Sequence, residues 1–252
     1  MPDSTRKTEV FLIASPIGDI LSDFSVSALE IIKRTRILLM EDIGVENPEV
    51  LYNRLRAKGV ITTEHEVHLI SDRKGAGFPL ERIDEWVRAG RSFAILADKG
   101  LPCFLDPGIE IVQHLMAHHE QAVDLIPIGA SSALDGGIAL SGVDCTRFLF
   151  WGHFPGSPPL ERHLLRTGIP VILYVQGDSL VDFVKHAKKM LGRGARHHRL
   201  TVLSNIRQRQ SRWRRRFSMD EPLESFEALD RPKGAGDEDH PRHNFVVILQ
   251  AG

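Results

Sequence analysis

The chain has 252 residues, of which 42% are apolar and 26% charged, and its formal net charge is -1. That composition fits a globular protein of one large or two small domains, and no repeat or low-complexity tract interrupts it. No apolar run approaches the ~20 residues of a membrane span, and the polar start "MPDSTRKTEV" has no apolar signal core, so a cytoplasmic protein is expected. The two cysteines, Cys103 and Cys145, have no metal-ligand spacing and are expected as free thiols in a reducing compartment.

The first half alternates short apolar runs with amphipathic segments. "VFLIA" (10–14) reads as a strand ended by "SPIGD", and "SALEIIKR" as a helix with Ser27 and Glu30 in a capping box. "ILLM" (37–40) is a buried strand ending at Glu41 and Asp42. The helix "NPEVLYNRLRAKG" has Asn47 as cap, Pro48 in its first turn and Gly59 as stop. "VHLI" (67–70) is a strand, "PLERIDEWVRAG" a helix and "FAILA" (93–97) a strand. After the loop "DKGLPCFL", Asp106 and Pro107 start the helix "GIEIVQHLMAHH", and "VDLIPI" (123–128) is another strand. Continuous apolar strands alternating with helices predict a parallel sheet covered on both faces.

A domain boundary is expected after Ile128, giving 1–128 and 129–252. In the second part "SSALDGGIALSG" is a helix, and 148–152, 171–175, 199–204 and 244–250 are strands. "PLERHLLR", "DSLVDFVKHAKKMLG" and "PLESFEAL" are the intervening helices, and 231–243 is rich in Gly, Pro and charge. Charge is unevenly distributed. Residues 183–219 hold three lysines, nine arginines and no acidic residue, which leaves 20 Lys and Arg against 33 Asp and Glu elsewhere. Such a segment, with Arg212, Arg214, Arg215 and Arg216 around Trp213, is either a solvated basic face or a nucleic-acid contact.

Neither glycine-rich phosphate motif is present, since "SPIGD" and "GASSALDGG" lack the required spacing. "HEVH" (65–68) is one residue short of the helical zinc-protease motif, so no metal site is expected and the histidines are read as surface residues. The stretch "ADKGLPCFLDPG" (97–108) is long for a strand-to-helix link, which ordinarily takes ~2–6 residues. Gly100 admits positive φ, while Pro102 and Pro107 stiffen the backbone and remove donors. Asp98, at a strand end, can accept from a hydroxyl or ammonium. A loop of carbonyls and carboxylates suits a cationic ligand better than a phosphate, which wants N–H donors.

Three ordered motifs, "FLIASPIGDILSDFSVSALEIIKRTRILLMED", "GRSFAILADKGLPCFLDPGIEIV" and "IPIGASSALDGGIALSGVDCTRFLFWGHFP", resemble the tetrapyrrole-methylase superfamily. Within it they are most similar to the ribosomal RNA small-subunit methyltransferases that act on a cytidine 2′-hydroxyl. The resemblance implies two α/β domains with S-adenosylmethionine in the cleft between them, usually in a homodimer. Carried over by position, it implies cofactor contacts from Pro16, from Asp98, Gly100, Leu101, Pro102 and Phe104, and from Ala130, Ser131, Ser132 and Ala133. The adenine is expected against Tyr174, Ser204, Asn205 and His243 or Asn244. Glu41 and Asp42 are the candidate bases, with a capping or ion-pair role as the structural alternative, and the arginines would meet RNA. Substitution of Asp98 by Ala is expected to weaken cofactor binding and leave the fold intact. The chain departs from the family pattern on the substrate side, with "EDIG" for E-D-T-R, "SDRKGAGFP" where H-N-E is expected, and "YVQGDSL" for Y-E-S-P-H-R. A tetrapyrrole or other small-molecule methyltransferase and a catalytically silent RNA-binding homologue therefore stand as alternatives.

Overall fold

The computed structural model describes residues 7–17, 23–42, 44, 46, 48, 50–71, 78–104, 107–130, 132–155, 165–176, 179–204, 206, 213–230 and 244–252. The chain divides into two compact units, Met1–Asp144 and Cys145–Gly252. This division falls after Asp144, whereas the sequence placed it after Ile128. The reason is the helix over 133–141, which stays with the first unit: the Gln113 side chain donates to the Gly142 carbonyl at its end, at 3.1 Å.

The first unit contains β1 (Thr8–Ile13), α1 (Val26–Arg34), β2 (Ile37–Glu41), α2 (Leu51–Ala57) and β3 (Glu66–Ile70). It continues with α3 (Leu80–Arg88), β4 (Phe93–Leu96), α4 (Ile109–His118), β5 (Val123–Ile128) and α5 (Ala133–Ser141). The five strands form a parallel sheet in the order β3-β2-β4-β1-β5. Right-handed crossovers send leftward and rightward connections to opposite faces. On one face Ala28, Ile32, Leu51 and Leu55 of α1 and α2 bury against Phe11, Ile13, Leu38, Met40, Ala94 and Leu96. On the other, Trp86 of α3 stacks 5.5 Å from Phe93. Both faces are covered, which is why the three central strands β2, β4 and β1 read as apolar runs.

Two helix starts differ from the sequence reading. Ser25, not Ser27, caps α1, its side chain accepting from Ala28 N–H at 3.1 Å. The next helix begins at Leu51 after Val50, which gives no side-chain cap. Asn47 and Asp106, both expected as caps, lie outside the described residues.

The second unit holds β6 (Leu149–Phe154), β7 (Val171–Gln176), α6 (Leu180–Leu191), a 3-10 turn (Gly192–His197), β8 (His198–Ser204), β9 (Trp213–Ser218), α7 (Glu224–Asp230) and β10 (Asn244–Ala251). Its sheet runs β6-β7-β10-β8-β9, antiparallel except for β6 with β7. Phe183, Val184 and Ala187 of α6 and Phe226 of α7 pack on Val202, Phe217, Phe245 and Val247. The expected helix "PLERHLLR" falls mostly, and the Gly/Pro/charge-rich 231–243 wholly, outside the described residues. β9 was not expected, because "WRRRF" lacks an alternating pattern. Its pairing with β8 decides it, seating Phe217 opposite Leu200 in the core.

Glu66, the first residue of β3, ties the sheet edge to α3. It accepts from Arg91 at 2.7 Å and Arg82 at 2.9 Å, and lies 2.9 Å from His68 Nε2. Desolvation raises its pKa, but the bonds from Arg91, His68 and Arg82 and the charge of Arg91 outweigh it and bring it from 4.5 to about 2. A depressed carboxylate pKa stabilises the fold above the ordinary value, and this contribution is lost as pH falls toward 2. With the side chain 33% exposed, solvent screening limits the effect to about 1 kcal/mol. Glu66→Gln is expected to lower stability by that amount at neutral pH and to shrink the difference from wild type near pH ~3, read from urea midpoints at both.

Candidate functional site

In a parallel sheet, ligands bind beyond the carboxyl ends of the strands, where neighbouring strands send their helices to opposite faces. Here that place is the junction of β1 and β2 with β4, since α1 and α2 cover one face and α3 and α4 the other. The segments after these strands are joined there. Ser15 and Gly100 form a two-way backbone bridge, with Ser15 N–H donating to the Gly100 carbonyl at 2.7 Å and Gly100 N–H to the Ser15 carbonyl at 2.9 Å. The buried Ser15 hydroxyl donates to the Ala97 carbonyl at 2.7 Å. Beside them, Ala14 N–H donates to the Ile128 carbonyl at 2.9 Å, which brings the start of "GASSA" alongside.

Asp98 is the hub. Its backbone N–H donates to Glu41 Oε2 at 2.9 Å, and its Oδ1 accepts from the Leu51 N–H at 2.6 Å. The first bond joins β4 to β2, and the second caps α2, which has no local side-chain cap. The carboxylate thus holds a helix start, so Asp98→Ala bears on stability as well as on any ligand contact. Asp42 is exposed, and its Oδ1 accepts from Gly44 N–H at 3.1 Å. Glu41 and Asp42 thus stand at the same sheet edge, Glu41 partly buried against the loop and Asp42 open to solvent.

The long loop turns tightly. Gly100 has φ +79°, with nothing within 4 Å of where a Cβ would lie, so it is needed for backbone conformation and not for space. Phe104 N–H donates to the Leu101 carbonyl at 3.3 Å, Pro102 and Cys103 are buried, and Leu101 and Phe104 are half-buried. Gly108, at φ +113°, begins α4 so close to the sheet that a Cβ would meet Ile95 Cγ2 at 2.9 Å. Pro16 is half-buried directly after the bridge.

Ala130 is half-buried, Ser131 lies outside the described residues, and Ser132 caps α5 in a reciprocal capping box with Asp135. Ala133 is exposed as the first residue of that helix. In the second unit, Tyr174 lies opposite Val246, and Ser204 opposite Phe245, beside Asn244 at one end of the sheet. Asn205, His243 and Arg212 fall outside the described residues. Arg214, Arg215 and Arg216 lie on the edge strand β9, with Arg215 and Arg216 exposed. His65 and His68 have structural partners: His65 lies 3.0 Å from the Thr62 N–H and 3.1 Å from the Ile32 carbonyl, and His68 pairs with Glu66.

No family model matches the chain. Over 187 residues it is 27% identical to the ribosomal RNA small subunit methyltransferase I of Thermotoga maritima, covering 73% of this chain and 78% of that protein. Over 176 residues it is 24% identical to the protein of the same name from Neisseria meningitidis serogroup B, covering 68% of this chain and 56% of that one. The chain is similar in sequence to these methyltransferases. It thus spans little more than half the length of the Neisseria protein. A solved uroporphyrin-III C-methyltransferase from Thermus thermophilus, complexed with S-adenosylhomocysteine, aligns over 95% of this chain and 96% of that one, with 19% identity and a TM-score of 0.34.

Loss of the Asp98 carboxylate removes a helix cap, which typically costs ~1 kcal/mol. Asp98→Ala is expected to lower the unfolding free energy by about 1–2 kcal/mol, and Asp98→Asn, which keeps an acceptor, by less. Urea unfolding of the two variants beside wild type measures the order.

Proposed function

We propose that the chain is an S-adenosylmethionine-dependent methyltransferase acting on ribosomal RNA, at a ribose 2′-hydroxyl, working as a homodimer in the cytoplasm. The observation that carries this reading is the similarity to curated ribosomal RNA methyltransferases over about 70% of the chain. The junction after β1, β2 and β4 supports it, because Glu41, Asp42 and Asp98 gather carboxylates and carbonyls where a cationic ligand would be held.

When bound, S-adenosylmethionine supplies an electrophilic methyl group on a sulfonium. The chain's part is to hold and orient. The Ser15–Gly100 bridge fixes Pro16 and the 98–104 loop as one wall. Ala130 and the capped start of α5 give a second contact, for the methionine end. Asp42, exposed at this edge where Glu41 is partly buried against the loop, is the better placed of the two candidates to take the proton of an attacking hydroxyl. Arg214, Arg215 and Arg216 on β9, together with Arg212 before it in sequence, would meet RNA phosphates, with charge and no fixed sequence preference.

Calorimetry with S-adenosylmethionine is expected to show binding that Gly100→Val weakens by about tenfold or more, because a β-branched residue at positive φ re-routes the loop. Wild-type chain that binds no S-adenosylmethionine at millimolar concentration would point to the silent RNA-binding homologue. Labelled methyl transfer to undermethylated small-subunit RNA decides the substrate class. Replacing the four arginines by Ala is expected to lower RNA affinity and reduce the log–log salt slope by about 0.7 per lost phosphate contact, with cofactor affinity unchanged.

A further inference from the structure

The opposite edge of the first unit's sheet holds a cluster that methyl transfer does not use. A crossover helix runs back to where the next strand begins, so the end of α4 lies away from the loops after β1, β2 and β4. The hydrogen bond from Val123 N–H, at the start of β5, to the His119 carbonyl at 3.1 Å places it there.

Asp84 projects from α3, His114 from α4, and His119 is the residue that ends α4. Both imidazole Nε2 atoms lie 2.6 Å from the same Asp84 Oδ1, and the three donor atoms all fall within 4.8 Å of one another. The side chains are 28%, 14% and 17% exposed, shielded yet reachable. Among the described residues, the ion-pair partners of Asp84 are these two histidines, so no ammonium or guanidinium competes for its carboxylate. His118 packs its ring 4.5 Å from that of His114, and its Nδ1 lies 3.1 Å from the His114 carbonyl, which fixes the ring plane. On a continued helix His119 would point about 140° away from His114. It leaves the helical path at φ -132°, and its ring comes back to the same carboxylate.

We propose that Asp84, His114 and His119 form a site for a divalent transition-metal ion of the zinc type, clipping α3 to the end of α4. Two imidazole nitrogens and one carboxylate oxygen are the donors such an ion takes, whereas calcium and magnesium want more oxygens. Ligands at about 2.0–2.1 Å in a tetrahedron stand about 3.3 Å apart, so each Nε2 has to draw back from Asp84 Oδ1 by under ~1 Å to admit the ion, with water completing the shell. Each Nε2 then presents its lone pair, its proton moving to Nδ1 or to solvent.

The test is calorimetry of the full chain with zinc chloride alone, supported by the visible absorption of the cobalt(II) form. One equivalent is expected to bind and to raise Tm. His119→Gln and Asp84→Asn, shown folded by circular dichroism, are expected to weaken binding by about tenfold or more, while His197→Gln leaves it unchanged. If Asp84→Asn does not fold, His119→Gln, with its half-buried side chain at the helix end, serves alone. No saturable zinc binding to the wild-type chain overturns the proposal. So does undiminished affinity in a folded His119→Gln variant.

Discussion

Much of the first unit hangs on a short set of hydrogen bonds at the carboxyl ends of its strands. The antiparallel Ser15–Gly100 bridge ties together the segments that follow the parallel strands β1 and β4. The bridge needs positive φ at Gly100, which glycine adopts without the strain a side chain would bring. Asp98 then uses its backbone to hold Glu41 and its side chain to start α2. The segments after β1, β2 and β4 are thereby bound to one another, and the partly buried carboxylates of Glu41 and Asp98 accept hydrogen bonds that offset their desolvation.

This economy joins stability to the proposed chemistry. A loop that had to hold a ligand and was free to move would spend binding energy on its own ordering. Here the fold itself supplies ordering, through a bridge and a helix cap made by the chain's own groups. The cost is that Asp98 cannot be altered to probe binding without also loosening α2, whereas Asp42, exposed at the same edge, can be altered with less effect on the fold.

The second unit is built on a different principle. Its sheet is mostly antiparallel, and its outer strand β9 carries three successive arginines. An edge strand with unpaired backbone groups is exposed to pairing with other chains, and a row of charges discourages that. In the proposed function Arg215 and Arg216, the exposed two of the three, would also attract a polyanion.

Strand and helix types in the first unit were legible in the sequence because both sheet faces are buried, so the central strands are apolar runs and each helix has its stripe. The charge asymmetry and the unusual loop 97–108 were legible too, as were the motifs that carry the family resemblance. What the sequence could not give were features made by contacts distant along the chain. β9 exists because β8 lies beside it and Phe217 finds a core. The α2 cap comes from Asp98, 47 residues away. His119 meets His114 and Asp84 only because its helix ends there and another helix lies alongside. Composition and periodicity determine which segments are strands, helices and basic surface, since those depend on neighbours in sequence. Which polar groups satisfy one another was decided by the tertiary structure, since a buried donor takes whatever acceptor the folded chain brings within reach.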